Sequence, residues 1–261
     1  MKVLFVGDIV GKGGRKAVNT FVPVFRERES CDFVIANGEN MAGGGGITPK
    51  CMRSLQASRV DVFTGGDHMW DQREFVEQID DFSNVLRPAN VSPEQPGVGY
   101  KTFRTANGLI VGVISLLGQT FMKLQADSPF RAADEAIAAL REETALIFVD
   151  MHAEATSEKI AMGRYLDGRV TAVIGSHTHV PTADEIILPG GTAYQTDAGM
   201  VGARDSILGR EIKPVLHRFV TGMPARFNVV TKGIRVNATV VEVDENTGRA
   251  KAIKRVRHDV D

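Results

Sequence analysis

Val170-Thr171-Ala172-Val173-Ile174-Gly175-Ser176-His177-Thr178-His179-Val180 is the stretch whose reading decides the fold. Val170 to Ile174 is a short apolar run of the kind that fills a strand covered on both faces. Two histidines two residues apart follow it. In extended backbone, residues i and i+2 point to one side, so both imidazoles can converge on one point. Neutral imidazole is a common ligand for borderline transition metals. A His-x-His alone is a weak sign, because solvated histidines are common. Its weight depends on what the other strand ends carry.

Upstream, the same pattern recurs. Val3-Leu4-Phe5-Val6 is an apolar run that delivers Gly7-Asp8 into a loop, Ile9 to Gly14. Arg15 to Glu29 has apolar residues at helical spacing: Val18, Phe21, Val22 and Phe25. Asp32 to Ala36 is a second strand, running into Asn37-Gly38-Glu39-Asn40 and then four glycines, Gly43 to Gly46. Thr48-Pro49 starts a helix to about Ala57, with Thr48 as N-cap and Pro49 at N1. Val60 to Thr64 is the third strand. It ends in Gly65-Gly66-Asp67-His68-Met69-Trp70-Asp71, with Asp71 as N-cap of a helix through about Asp80. Three successive strand–loop–helix units imply a parallel sheet with right-handed crossovers. Ligand sites of such sheets lie at the carboxyl ends of strands.

The later chain changes character. Tyr100 to Thr105 and Leu109 to Leu116 flank Asn107-Gly108, which predicts a hairpin with a type I′ turn. Ser128-Pro129 starts a helix to about Arg141. Thr144 to Asp150 is a buried strand that delivers His152, and Ser157 is expected to cap a helix to Leu166. Glu185 to Leu188 pairs with Thr192 to Thr196, and Ile207 to Val220 is partly helical. Phe227 to Val230, Ile234 to Val243 and Ala250 to Val256 are late strands. There is no repeat. The organisation is one layered α/β domain with mixed sheets, residues 1–261, in which segments near 41–82 are candidates for a lid.

The 261 residues are 43% apolar and 24% charged, ordinary for a globular protein large enough to bury a sizeable core. A formal net charge of −1 gives no electrostatic reason to expect duplex nucleic acid as a partner. The basic run from Lys251 to Arg257 alternates with apolar residues and reads as the wet face of a strand. Cys31 and Cys51 have no zinc or disulfide spacing. The N-terminus reads as a strand, not a signal peptide, and no stretch approaches a membrane span, so the expected location is the cytoplasm.

Past the strand ends lie Asp8, Glu39, Asn40, Asp67, His68, His152, His177 and His179. Carboxylates are seldom buried unpaired, so core packing does not account for five strand ends that each offer a metal-compatible group. Three imidazoles, three carboxylates and an amide exceed one tetrahedral zinc. They suit two transition-metal ions, divalent or trivalent, with one carboxylate bridging. Imidazole and carboxylate without thiolate favour iron, manganese or zinc. Such a pair lowers the pKa of a shared water and neutralises phosphoryl oxygens during in-line attack. Gly7 to Gly13 superficially suggests a phosphate loop but lacks its spacing and the Ser/Thr after Lys12. Trp70 reads as a packed cover over the site, and Glu154 is not expected to be a ligand.

The order Asp, then Gly-Glu-Asn, then Gly-x-His, then a lone His, then Gly-x-His-x-His resembles the calcineurin-like metallophosphoesterases. Within them, residues 7–11 (GDIVG), 37–44 (NGENMAGG), 151–159 (MHAEATSEK) and 175–180 (GSHTHV) resemble the YmdB-type bacterial phosphodiesterases over almost the whole chain. The resemblance implies a four-layer α/β/β/α sandwich and hydrolysis of cyclic nucleotides of the 2′,3′-cyclic AMP class. It implies Asp8, Asn40 and His179 on one ion, Asp67, His152 and His177 on the other, and Glu39 bridging. His68 would be the general acid. Substrate contacts are expected from Asn40, His68 and the backbone of Gly43 and Gly44, and a homo-oligomer is expected from the family. Three departures from most metallophosphoesterases stand out: Ile9-Val10 follow Asp8 where most carry Asp-x-His, Glu39 replaces the usual bridging aspartate as in the YmdB type, and Asp67 replaces the usual asparagine. A phosphomonoesterase on the same metals, or a regulator that metals merely stabilise, are the alternatives.

Overall fold

The fold is taken from a computed structural model in which residues 1–260 are described. In chain order the strands are β1 Lys2–Val6, β2 Asp8–Ile9, β3 Phe33–Asn37, β4 Val62–Thr64, β5 Val85–Leu86, β6 Tyr100–Arg104 and β7 Ile110–Leu117. Then come β8 Ile147–His152, β9 Ala172–Ser176, β10 Ile186–Ile187, β11 Ala193–Gln195, β12 Met200–Ala203, β13 Ile234–Val243 and β14 Ala250–Val260. The α-helices are α1 Gly11–Glu29, α2 Pro49–Ser54, α3 Arg73–Val76, α4 Pro129–Leu140, α5 Thr156–Tyr165 and α6 Ile212–Thr221.

The strands form two mixed sheets. One runs β2-β12-β13-β1-β3-β4-β5, with β14 also on β13; the other runs β10-β11-β9-β8-β7-β6. β1, β3, β4 and β5 are parallel, as are β7, β8, β9 and β11, while β13 enters the first sheet antiparallel to β1.

The period of two in each strand assigns the layers. In β1, Leu4 and Val6 pack with Val18, Phe21, Val22 and Phe25 of α1, whereas Val3 and Phe5 face the second sheet. In β8, Phe148 faces the first sheet, while Ile147, Val149 and Met151 pack with α4 and α5. Three apolar layers separate helices, sheet, sheet and helices, which is the four-layer sandwich. Strands covered on both faces have no wet side, which is why they read as unbroken apolar runs.

Some local expectations fail for physical reasons. α1 begins at Gly11, not Arg15, because its glycines serve close packing and not a loop: a Cβ on Gly14 would lie 2.5 Å from the Val201 carbonyl oxygen. Only Gly108 of the Asn107-Gly108 pair has positive φ, so the hairpin loop is not type I′. It is a three-residue loop in which Gly108 donates to the Thr105 carbonyl and Thr105 pairs with Leu109. The N-cap of α5 is Ala155, with Ser157 inside the helix, and Phe227 to Val230 forms only an isolated bridge from Val229 to Arg210. Thr48 caps α2 as expected, accepting from the Cys51 amide at 3.1 Å. The segment 41–82 places Met41, Ile47, Met52, Leu55, Phe63, Met69 and Phe75 in the first core layer.

Candidate metal centre

Where the inter-sheet layer reaches the carboxyl ends of the strands, its residues turn polar. The inward positions of β3, β4, β8 and β9 run Ile35 to Asn37, Val62 to Thr64, Phe148 to Asp150 and Ile174 to Ser176. These four polar residues are buried and bonded to each other. Asp150 accepts from Asn37 Nδ2 at 3.0 Å, Thr64 Oγ1 at 2.5 Å and Ser176 Oγ at 2.5 Å. Buried polar groups at this density are tolerable only when mutually satisfied. Burial raises the Asp150 carboxyl above the usual range.

This platform holds His152, which is fully buried. Its Nδ1 lies 2.9 Å from Ser176 Oγ and 3.3 Å from Asn37 Nδ2. Its Nε2 lies 3.2 Å from both Glu39 Oε2 and Asp67 Oδ1, and 3.1 Å from His177 Nδ1. Donor atoms of Glu39, Asp67, His152 and His177 all fall within 4.8 Å of one another, the spacing of a metal-binding group. Gly66 makes this approach possible, because a Cβ there would collide with Glu39 Oε2 and the His152 ring.

A second set adjoins the first. His179 Nε2 is 3.2 Å from Asn40 Nδ2 and 3.9 Å from Asp8 Oδ1. Asp8 Oδ2 accepts from the His177 amide at 3.2 Å, while Oδ1 is buried without a partner. Glu39 spans the two sets: Oε1 meets Asn40 Nδ2 at 2.8 Å, and Oε2 faces His152 and accepts from the His68 amide at 3.0 Å. A half-turn of the Asn40 amide exchanges its nitrogen for its oxygen at the same place.

The electrostatics are those of anions crowded out of water. Burial pushes the Asp8 carboxyl up to about 7. Burial also opposes the charge of Glu39 and Asp67, but the neighbouring His152 outweighs it at Glu39, and hydrogen bonds from His152 and His177 outweigh it at Asp67; both stay below the usual range. Conversely, the Glu39 carboxylate overcomes burial and holds His152 well above its ordinary value. The orphaned Asp8 oxygen and the mixed carboxylate–imidazole donors fit a transition-metal cation.

His177 and His179 do not converge through extended backbone, because β9 ends at Ser176. Both have left-handed φ, 101° and 66°. Such backbone in a non-glycine residue needs surrounding structure to fix it. That support comes from Lys159 and Asp197, which the sequence reading did not single out. Lys159 Nζ, fully buried, donates to the Ser176 carbonyl at 2.6 Å and to Asp197 Oδ2 at 2.7 Å. Asp197 Oδ2 also accepts from the Thr178 amide at 3.0 Å and from Thr178 Oγ1 at 2.8 Å. The pair therefore grips the chain on either side of His177.

A cleft of about 540 Å³ opens over the ligands, lined by Glu39, Asn40, Gly44, His68, His177 and His179 and, opposite, by apolar residues around α6. Gly44 reaches it; Gly43 is not part of the lining. Asp71 is not an N-cap: its Oδ2 pairs with His68 Nδ1 at 2.7 Å, and α3 is preceded by Gln72 with no side-chain cap. Trp70 is half-buried against the first core layer and donates to Gln95 Oε1 at 2.7 Å. Glu154 Oε2 lies 3.1 Å from His177 Nε2, outside the ligand group. No helix among the described residues is long and apolar enough to cross a membrane.

Two mixed sheets packed face to face, with carboxylates and imidazoles gathered where their strands end, define a protein of the calcineurin-like metallophosphoesterase class. More narrowly, the chain belongs to the YmdB-like proteins, whose family model matches residues 4–256. It is 46% identical over 256 residues to a 2′,3′-cyclic-nucleotide 2′-phosphodiesterase of Bacillus subtilis (strain 168), covering 98% of this chain and 96% of that one. Among solved structures, a hypothetical protein from Thermus thermophilus superposes with a TM-score of 0.91 at 41% identity, covering 99% of each chain. A phosphatase from Mycoplasma pneumoniae superposes at 0.92 with 32% identity, covering 99% of this chain and 93% of the other.

Proposed function

We propose that this protein is a dinuclear metal-dependent phosphodiesterase acting on nucleoside 2′,3′-cyclic phosphates. The observation that carries the reading is the division of the donors into two sets with one Glu39 oxygen toward each. Asp8, Asn40 and His179 would hold one ion, Asp67, His152 and His177 the other, and Glu39 would bridge them. The donor chemistry favours iron, manganese or zinc. When bound, the ions make water acidic enough to ionise near neutral pH and neutralise phosphoryl charge.

The chain's own groups do the rest. Ser176 Oγ, which itself donates to Asp150, accepts from His152 Nδ1, so that Nε2 is the nitrogen offered to a cation. Asp71 binds Nδ1 of His68, a residue of the cleft lining, which leaves Nε2 as the ring nitrogen available for catalysis. From there it can protonate the ribose oxygen that leaves. The test is metal analysis of the purified protein together with its rates on 2′,3′-cyclic AMP and on a phosphomonoester. We expect about two ions per chain and faster diester turnover. Ions with monoester turnover alone would make it a phosphomonoesterase; ions without turnover on either would make it a regulator.

Metal loading should release protons. Cation-free, His152 carries a proton at neutral pH, and Asp8, raised to about 7, is mostly protonated about one pH unit below that. A cation needs both groups deprotonated, so its apparent affinity should fall as pH drops below about 7. Calorimetry at about pH 6 in buffers of different ionisation heat should report about two protons released per chain. No release would contradict this charge distribution. Asp67 adds a negative charge where the family carries asparagine. Asp67→Asn should therefore weaken metal retention about tenfold in a competition with chelator and raise kcat; tighter retention would refute this.

A further inference from the structure

Resting on that reading, we propose that the apolar wall of the cleft is a nucleobase subsite that requires an aromatic base but does not read which one. The cleft has two unlike sides. One is the ligand cluster; the other is Leu208, Val215, Phe219 and Phe227. This wall is not spare core. Phe219 is 81% exposed and Leu208 47%, and Leu216, Val220 and Met223 of the same helical region are also exposed. An apolar face of this kind beside a polar site is where a ligand's apolar part belongs.

The backbone says the same. Ile207 and Arg210 exchange hydrogen bonds at 2.9 and 3.0 Å, and between them Leu208 and Gly209 have φ of 51° and 85°. This is a tight turn that favours Asn or Gly at the position Leu208 occupies. A large aliphatic residue stands there although it is half exposed, so its side chain is not held by packing. Its carbonyl lies 3.4 Å from His179 Nδ1, which puts the wall directly beside the metal ligands. A group bound at the ligands therefore has Leu208 within reach of its next few atoms, and Phe219 and Phe227 line the same cleft.

Arg210 ties the wall to the glycine loop. It donates to the carbonyls of Gly43 at 3.2 Å, Gly44 at 2.5 Å and Phe227 at 3.4 Å. Among the described residues its side-chain hydrogen bonds all go to these carbonyls, and Arg210 and Lys123 both line the cleft. Cations in the lining favour an anionic phosphoryl group in the cleft. The wall itself offers no side-chain donor or acceptor. Stacking on such a surface tolerates any base, because every base has a π-face.

The test compares kcat/KM for the four nucleoside 2′,3′-cyclic phosphates with that for glycerol 1,2-cyclic phosphate, which has no base. We expect the four nucleotides to agree within about threefold and to exceed the glycerol ester by more than about tenfold. In Phe219→Ala, whose exposed ring leaves the core intact, the nucleotide-to-glycerol ratio should fall about tenfold through KM. Phe227→Ala should act alike. An unchanged ratio, an equal loss on both ester types, or strong preference for one base would overturn the proposal. So would dissociation of an oligomer by Phe219→Ala, which would make the wall a contact between copies. NMR titration with adenosine separates this from the parent reading. Adenosine binding that weakens in Phe219→Ala while no diester is hydrolysed would keep the wall and discard the diesterase. Diester hydrolysis with no adenosine binding would do the reverse.

Discussion

Lys159→Met should cost about 3–5 kcal/mol and release metal, although Lys159 touches no metal ligand side chain. Both members of the Lys159–Asp197 pair are fully buried at 2.7 Å. Methionine fills the volume but leaves the Asp197 carboxylate fully buried and uncompensated. For a chain of this length that loss corresponds to a drop in Tm of roughly 6–20 °C. The effect on metal follows from what the pair grips. Without Lys159 the Ser176 carbonyl loses its partner and Thr178 is held by a displaced carboxylate, so the left-handed backbone at His177 and His179 loses its support. Adding Asp197→Asn removes the orphaned charge and should restore part of the stability, because the amide oxygen can still accept from Thr178. It should not restore metal content to the same extent. A Lys159→Met protein that melts within about 2 °C of the parent and keeps its full metal content would show that the pair does not position the histidines.

The second large effect is on rate alone. His68→Ala should lower kcat on a nucleoside 2′,3′-cyclic phosphate by roughly 10²–10⁴-fold, the range of one positioned proton donor, with metal content unchanged. The side chain is absent from the ligand group, and only the His68 backbone amide, which alanine retains, donates to Glu39. General acid catalysis matters less as the leaving group becomes more acidic. The loss should therefore shrink sharply for a nitrophenyl diester, whose leaving group needs no proton. A uniform loss across both leaving groups would assign His68 to charge stabilisation. Loss of metal in the variant would make the residue structural. Asp71→Asn should reproduce a weaker version, since it keeps the ring in place with a poorer acceptor for Nδ1.

Much of this site was legible because its chemistry sits at strand ends. Asp8, Glu39, Asn40, Asp67, His152, His177 and His179 each follow an apolar run, and a polar group after such a run has few reasons to be there except a site. What stayed hidden is the layer beneath. Asn37, Thr64, Asp150 and Ser176 occupy the last inward positions of four strands, each two residues after an apolar inter-sheet residue. The period of two could have found them, but only by asking which face each strand turns inward. Lys159 gave no local sign, since a lysine in a short helix is ordinarily a solvated charge; its partner is 38 residues away.

The sequence by itself determined the strand runs and the kinds of donor that follow them, because burial on two faces and side-chain chemistry are written in local residues. Tertiary structure alone decided three things. It set the left-handed backbone at His177 and His179, where the spacing alone suggests an extended one. It buried the Lys159–Asp197 pair, and it brought Val215 and Phe219 of α6 to the cleft. Each depends on segments distant in the chain meeting in one low-dielectric place, where an unpaired charge or donor is too costly to leave alone.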